Sequence, residues 1–250
     1  MSHFPDHFSG YSHDYARFRP TYPAALFEWL AAQAPARDRA WDCGTGSGQA
    51  AVALAAHFTA VIATDASAEQ VARATPRARV QYAVAPAEAP GIDGASVDLV
   101  TAAQAFHWFD QERFFAAAAT VLKPGGVLAI WMYRATSVSP DIDTIASDLE
   151  WRVLKEDWPG ERRLVDTGYQ SAVIPAPFEE FRAPPFVLIA QWTRDQYVGY
   201  VGTWSAVHRH RARTGADPLE PLAAVLQALW PENEQREVRW DLALRVLRRP

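Results

Sequence analysis

A glycine-rich segment, Asp42-Cys43-Gly44-Thr45-Gly46-Ser47-Gly48, continues from the first short predicted strand of the sequence, Ala40 to Cys43. Glycine adopts positive φ angles without steric cost and lets a ligand approach the backbone closely. The helical pattern that begins at Gln49 would place free N–H groups behind this turn, where they attract electronegative ligand groups. The spacing G-x-G-x-G thus predicts a turn that binds a nucleoside-type cofactor, although a plain strand–helix connection could use the same glycines.

Acidic and polar residues follow three later apolar runs. Asp65 lies 21 positions after Gly44, where an acid can accept hydrogen bonds from both ribose hydroxyls, or else cap a helix. The segment 85–90, Ala-Pro-Ala-Glu-Ala-Pro, can flank an adenine edge, and the segment 104–110 follows the next run. Because parallel strands end at one edge of a sheet, these residues are expected to converge on one cleft.

A nicotinamide cofactor is the main alternative. Its fingerprint, G-x-G-x-x-G, would require glycine at position 49, which is Gln49. The sequence also shows no Tyr-x-x-x-Lys pair or other hydride-transfer set. The observed spacing favours a cofactor without a pyrophosphate group.

Strands and helices that would position these residues alternate through residues 40–133. The predicted strands are 40–43, 60–64, 80–84, 97–102 and 127–131, and the predicted helices are 23–34, 49–58, 67–74 and 111–122. Short apolar strands between helices indicate an α/β fold with a doubly wound parallel sheet. Beyond this core we predict a strand at 186–190, helices at 194–214 and 219–230, and a last strand at 237–247, with the helices covering the carboxyl edge of the sheet.

Composition limits the possible functions. The formal net charge is −5, which argues against sequence-independent binding to nucleic acid. The sequence has one cysteine, no basic start followed by an apolar run, and no uninterrupted apolar stretch near ~18 residues. A cytoplasmic protein without membrane segments or an obligate protein partner is therefore expected. The ten tryptophans suit a core and can also line a small-molecule cavity.

The segment 42–49 resembles motif I of class I S-adenosylmethionine-dependent methyltransferases, and Asp65 and the turn 122–126 resemble their ribose-binding acid and the turn before strand five. Segments 15–23, 104–110 and 203–206 are similar to a small-molecule subgroup that includes the trans-aconitate methyltransferases. The resemblance implies a Rossmann-like sheet of seven strands, mostly parallel, with an antiparallel last strand and helical cap insertions. It also implies one domain, 1–250, divided into an N-terminal cap segment (1–35), a cofactor-binding core (36–133) and substrate-side helices with the last two strands (134–250).

The same resemblance assigns a cofactor site for S-adenosylmethionine, released as S-adenosylhomocysteine. The implied cofactor-binding residues are Tyr15, Arg19, Asp42, Gly44, Thr45, Gly46, Gly48, Asp65, Ala66, Ala87, Glu88, Ala103 and Gln104. Arg17 or Arg19 would pair with the cofactor carboxylate. The chain departs from the family at Pro86, where relatives often carry an acid that accepts from the adenine amino group, so Glu88 or a backbone carbonyl would take that role.

Methyl transfer is an in-line displacement, so the protein mainly aligns the acceptor with the bond to be broken. No metal is expected. His107 is the candidate base or orienting residue, and Trp108, Arg134, Trp204 and His208 are candidate substrate contacts. The acceptor is expected to be a small molecule methylated on a carboxylate or hydroxyl oxygen, with an amine as an alternative. An oxidoreductase and a non-enzymatic protein that keeps the fold are the competing hypotheses.

Overall fold

The computed structural model describes residues 18–250, and its first half contains five strands that alternate with helices. Tyr15, a predicted cofactor residue, and Arg17 lie outside the described residues. The elements are α1 Ala24–Gln33, β1 Arg39–Cys43, α2 Gln49–Leu54, β2 Ala60–Asp65, α3 Ala68–Arg73, β3 Val80–Val84, β4 Val97–Ala103, α4 Gln111–Val121 and β5 Leu122–Ser137. Each of the five predicted core strands is therefore confirmed.

The second half contributes the last strands and a group of helices. Its elements are α5 Pro140–Asp148, a π-helical turn Leu149–Val153, α6 Arg162–Asp166, β6 Glu179–Phe181, β7 Val187–Trp192, α7 Arg194–Gly202, α8 Ser205–Thr214, α9 Leu219–Leu229 and β8 Arg236–Arg248. Buried side chains of these helices form an apolar cluster with Tyr133 and Trp240. This cluster fixes the helices against the end of the sheet.

The sheet runs in the order β3-β2-β1-β4-β5-β8, and both β6 and β7 pair with β8. Strands β1 to β5 are parallel, and β8 is antiparallel to β5. The chain builds outward from β1 to β3 and then returns to place β4 on the other side of β1. In an open α/β sheet, ligands bind beyond the carboxyl ends of the strands at this switch point.

Side-chain caps begin two helices next to that edge. The Ser67 hydroxyl accepts from the backbone N–H of Gln70 at 3.3 Å, and the Asp110 carboxylate accepts from the N–H of Arg113 at 3.2 Å. Each cap satisfies a backbone donor that the first helical turn would leave unpaired. Strand β4 is buried through its first six residues, as expected for a central strand covered by helices on both faces.

The α/β fold class is confirmed, with two differences in detail. The sheet has eight strands among the described residues, because the three-residue β6, which carries two exposed glutamates, gives no apolar pattern in the sequence. The helix predicted over 194–214 is two helices, α7 and α8. Thr203 ends α7 by donating its hydroxyl proton to the carbonyl of Tyr200 at 2.7 Å. No helix in the described part of the chain is both long and apolar enough to cross a membrane.

Candidate active site

The glycine turn between β1 and α2 uses the backbone freedom that the sequence predicts. The φ angles of Gly44, Gly46 and Gly48 are +67°, +55° and +85°. A Cβ added at Gly44 would lie 2.5 Å from the Cβ of Ala105, whereas one added at Gly46 would meet nothing within 4 Å. A Cβ at Gly48 would meet the ring of Tyr82. Gly44 and Gly48 therefore allow close packing, while Gly46 faces open space.

Asp42 lies beneath the turn. Its side chain is 1% exposed and accepts hydrogen bonds from the hydroxyls of Thr45 at 2.7 Å and Thr101 at 2.8 Å. Burial raises the pKa of Asp42 to about 6, against the lowering effect of these two hydrogen bonds. Neither Asp42 nor Gly48 lines the two cavities described below, and both of these predicted cofactor residues lie where they support the turn.

Asp65, at the end of β2, faces the turn. One carboxylate oxygen accepts from the N–H of Gly46 at 2.9 Å, and the other accepts from the N–H of Ser67 at 2.9 Å. The second bond joins the carboxylate to the residue that caps α3. The acid is therefore held in a defined orientation beside the glycine turn.

A cavity of about 480 Å³, which we call the first cavity, opens at the carboxyl ends of β1, β2, β3 and β4. Ten of the predicted cofactor residues line it: Arg19, Gly44, Thr45, Gly46, Asp65, Ala66, Ala87, Glu88, Ala103 and Gln104. Pro86 also lines it. The Glu88 carboxylate accepts from the N–H of Asp110 at 2.9 Å, which fixes this acid at the wall where Pro86 offers no acceptor side chain.

A second cavity, of about 360 Å³, lies between the sheet edge and the later helices. His107, Trp108, Arg134 and Trp204, four residues predicted for catalysis or substrate binding, line it. His208, on α8, is not among the residues that line either cavity. Phe106, which directly precedes His107, is fully buried in the core. The predicted acceptor residues thus meet in one place, with His208 set apart.

Four residues line both cavities: Arg19, Gln104, Trp108 and Tyr133. Gln104 has a left-handed backbone, with φ +55°, which is uncommon outside glycine. Its side-chain Nε2 is buried, and within residues 18–250 it has no hydrogen-bond partner. A buried donor without a partner is costly, so this amide is positioned to bind a ligand acceptor atom.

Arg19 crosses the boundary between the two cavities. Its guanidinium donates to the hydroxyl of Tyr133 and lies over the ring of Tyr200, with 5.5 Å from Cζ to the ring centroid. These contacts orient the cationic group beside the open space shared by the two cavities. The family resemblance assigns Arg19 to the cofactor, and the position of Arg19 also borders the second cavity.

His107 is held by a tyrosine. Its Nδ1 lies 2.8 Å from the hydroxyl of Tyr169, a fully buried residue with φ +65°. Burial, and then the nearby guanidinium groups of Arg162 and Arg19, lower the pKa of His107 to about 3. The imidazole is consequently neutral at physiological pH and is a weak proton acceptor.

Charged residues in the second cavity differ in their pairing. The Arg162 guanidinium binds the carboxylates of Glu150 and Asp166. Arg134, which is exposed at the end of β5, makes no ion pair or hydrogen bond with any residue that the structure describes. Two basic residues of α8 are engaged elsewhere, since His210 and Arg213 bind Asp157.

Several lining residues were not predicted from the sequence. Tyr133 immediately precedes Arg134 at the end of a predicted strand, so its position alone could have identified it. Trp151, Trp158 and Arg162 belong to the segment 149–166, which reaches the second cavity through tertiary folding and carries no motif. Among the described residues, no group of three histidines, cysteines or acids could hold a metal ion.

Comparison with known proteins decides the family. Residues 41–130 match the family described as "Methyltransferase domain". A protein of Dictyostelium discoideum named as a methyltransferase is 32% identical over 206 residues, which cover 81% of this chain and 78% of that protein. The chain belongs to the class I S-adenosylmethionine-dependent methyltransferases. It is thus a methyltransferase, as the resemblance of the segment 42–49 indicated. The oxidoreductase and non-enzymatic hypotheses are not supported.

Two further relatives support the assignment of this chain to the methyltransferases. A solved structure from Anaeromyxobacter dehalogenans, described as a type II methyltransferase, is 48% identical, covers 92% of this chain and 97% of that one, and has a TM-score of 0.85. A Saccharomyces cerevisiae protein named as an S-adenosylmethionine-dependent methyltransferase is 32% identical over 128 residues, 48% of this chain and 44% of that protein. The likeness to the Anaeromyxobacter structure extends well beyond the matched domain and includes most of the helices around the second cavity.

Proposed function

We propose that this methyltransferase binds S-adenosylmethionine in the first cavity and methylates a carboxylate oxygen of a small acid held in the second cavity. The observation that carries the proposal is the shared boundary, where Arg19, Gln104, Trp108 and Tyr133 line both cavities. A methyl donor and an acceptor held on either side of that boundary would lie next to each other at these four side chains. The volumes, about 480 and 360 Å³, suit small molecules.

The residues of the first cavity fit the cofactor. Asp65 offers a carboxylate to the ribose hydroxyls, and the open space at Gly46 lets a ligand lie against the backbone. The unpartnered Nε2 of Gln104 can donate to the carboxylate of the methionine portion or to an acceptor oxygen at the boundary. When bound, S-adenosylmethionine supplies a methyl group on a cationic sulfur. Arg19 and Trp108 border the place where that group would face the acceptor.

The methyl acceptor that fits this site best is a group whose nucleophilic atom carries no proton at neutral pH. His107 is neutral and, with a pKa of about 3, would not remove a proton from an alcohol or an ammonium group efficiently. A carboxylate needs no such step. Its oxygen forms the new bond to the methyl carbon as the bond from that carbon to sulfur breaks, and the sulfur keeps the electron pair. His107, fixed by Tyr169, would then orient the acid through its remaining ring nitrogen.

The charge of the second cavity also favours an acid. Arg162 with Glu150 and Asp166 carries one net negative charge, whereas Arg19 and Arg134 add two positive charges to the lining. Arg134 makes no ion pair in the described part of the chain. A guanidinium attracts a carboxylate, so Arg134 would draw an anionic acceptor into the second cavity and could donate to one oxygen while the other faces the boundary.

A labelled methyl-transfer screen tests the proposed function. The enzyme is incubated with methyl-labelled S-adenosylmethionine and matched small acids, alcohols, phenols and amines, and the products are tested for esters by mild base hydrolysis. The proposal predicts base-labile label on the acids. Transfer confined to alcohols, phenols or amines would replace carboxylate methylation with another acceptor chemistry, while leaving the cofactor assignment intact.

Arg134→Gln is expected to raise the KM for acid substrates about threefold to tenfold with little change in kcat, because a partly exposed charge pair contributes modestly to binding. Steady-state kinetics at low and high salt measures this effect, which should shrink at high salt. Arg239→Gln is the matched control, since Arg239 is exposed, pairs with Glu237 and lines neither cavity. Equal KM values for the two variants would remove Arg134 from acceptor binding.

A further inference from the structure

The second cavity is unusually rich in tryptophan. Trp108, Trp151, Trp158 and Trp204, which we call the tryptophan wall, are four of the ten tryptophans in the chain, and all four line this one cavity. Trp158 and Trp204 have ring centroids 5.8 Å apart, and Trp204 is 6.2 Å from Tyr200, edge to face. Trp158, Trp204 and Tyr200 therefore form a connected aromatic group, and Trp108 and Trp151 line the same cavity.

Aromatic walls of this kind select either organic cations or planar rings. The cation position is already filled by the protein. The Cζ atom of Arg162 lies 3.9 Å from the ring centroid of Trp158 and 5.2 Å from that of Trp151. Glu150 and Asp166 both bind this guanidinium, so each carboxylate of the cluster is already paired with Arg162. The wall is consequently closed to a ligand ammonium group at the place where an aromatic cage would hold one.

The part of the wall that stays available is apolar and planar, and the charge beside it is positive. Trp108 reaches the boundary with the first cavity. Trp151 is 52% exposed, whereas Trp204 is only 9% exposed. Arg134 supplies a guanidinium without an ion pair among the described residues. A ligand that satisfies both features has a flat ring and an acidic group.

We infer that the acceptor is an aromatic carboxylic acid, whose ring lies against the tryptophan wall while its carboxylate reaches the boundary at Gln104. This inference rests on the proposed function and adds the chemical class of the part of the acceptor that carries the carboxylate. It distinguishes ring-bearing acids from open-chain acids of the same charge. Stacking against tryptophan depends on the π face, so a saturated ring of similar size and charge is the sharpest comparison.

The experiment compares three acids with the full-length enzyme: phenylacetate, cyclohexylacetate and hexanoate. Ester formation from labelled S-adenosylmethionine gives kcat/KM for each acid. Phenylacetate is expected to exceed cyclohexylacetate about threefold to tenfold, the range expected when one aromatic face is gained. In the presence of S-adenosylhomocysteine, phenylacetate should also quench the intrinsic tryptophan fluorescence more than cyclohexylacetate at equal saturation.

Variants of Trp151 connect this preference to the wall. Because Trp151 is half exposed, Trp151→Leu should fold and bind S-adenosylhomocysteine normally while the preference falls to near parity. Trp151→Phe, which keeps a ring, should retain most of the preference. Val225→Ala is the control, since Val225 is exposed on α9 and lines neither cavity.

The outcomes separate this inference from the proposed function. Equal rates for phenylacetate and cyclohexylacetate, transfer to hexanoate with none to either ring-bearing acid, or an unchanged preference in Trp151→Leu would each overturn the aromatic class alone. Transfer to benzyl alcohol or benzylamine with none to any of the acids would overturn carboxylate methylation, and the aromatic acid class with it.

Discussion

Asp65→Ala is expected to weaken S-adenosylhomocysteine binding by about 1–3 kcal/mol, roughly fivefold to 150-fold, as for the loss of charge-assisted hydrogen bonds. The carboxylate lines the first cavity, and both of its oxygens are already oriented by backbone N–H groups, of Gly46 and Ser67. Because the carboxylate is already held in one orientation, it loses little conformational entropy when it accepts hydrogen bonds from the ribose hydroxyls. Isothermal titration calorimetry measures the loss directly.

A deoxy analogue separates ribose binding from a general loosening of the turn. Removing the 2′- and 3′-hydroxyls of S-adenosylhomocysteine should weaken its binding to the wild-type enzyme but change little in Asp65→Ala, because the hydroxyls then have no carboxylate to meet. Glu69→Ala is the control, since Glu69 is an acid on the neighbouring helix α3 that pairs with Arg73 and lines neither cavity. An undiminished preference for the ribose hydroxyls in Asp65→Ala would show that this acid only stabilises the turn.

The parts of the site that the sequence could predict are those fixed by local backbone chemistry. The glycine turn, Asp65 and the residues after β3 and β4 each follow a strand, and parallel strands bring their ends together whatever the later chain does. The same logic explains why Asp42 was assigned to the cofactor and lies instead beneath the turn. Position along the chain does not distinguish an acid that faces a ligand from a buried acid such as Asp42, which accepts hydrogen bonds from the hydroxyls of Thr45 and Thr101.

The second cavity could be predicted only in part. Trp108 follows β4 and Arg134 follows the strand predicted at 127–131, so the same argument identified them. Trp151, Trp158 and Arg162 reach the cavity because an irregular segment folds back over the sheet, and the stacking of Arg162 on Trp158 depends on residues that no local pattern connects. The same limit applies to β6, whose pairing with β8 is a long-range contact of a three-residue strand.

A pair of glycine substitutions in the turn is expected to separate folding from cofactor binding. Gly44→Ala should destabilise the protein by about 2–5 kcal/mol, because it adds the cost of a left-handed alanine to that of a Cβ 2.5 Å from the Cβ of Ala105. For a chain of this length that lowers Tm by roughly 5–15 °C. Thermal unfolding followed by circular dichroism measures this loss.

Gly46→Ala should behave differently although its backbone strain is similar. Its φ is +55°, but the added Cβ meets no protein atom within 4 Å and would enter the first cavity. We expect a small loss of stability, about 1 kcal/mol, and a loss of S-adenosylhomocysteine affinity of about fivefold to 150-fold, because overpacking a ligand site costs ~1–3 kcal/mol. Calorimetric titration of the folded variant measures the second effect.

Gly91→Ala isolates the cost of the backbone alone. Gly91 has φ +69°, an added Cβ there meets nothing within 4 Å, and the residue lines neither cavity. It should match Gly46→Ala in stability and the wild-type enzyme in cofactor affinity. If Gly44→Ala were as stable as Gly91→Ala, the turn would have room to move away from Ala105, and the tight packing beneath the first cavity would not be what fixes its shape. If Gly46→Ala bound S-adenosylhomocysteine normally, the cofactor would lie elsewhere than against this turn.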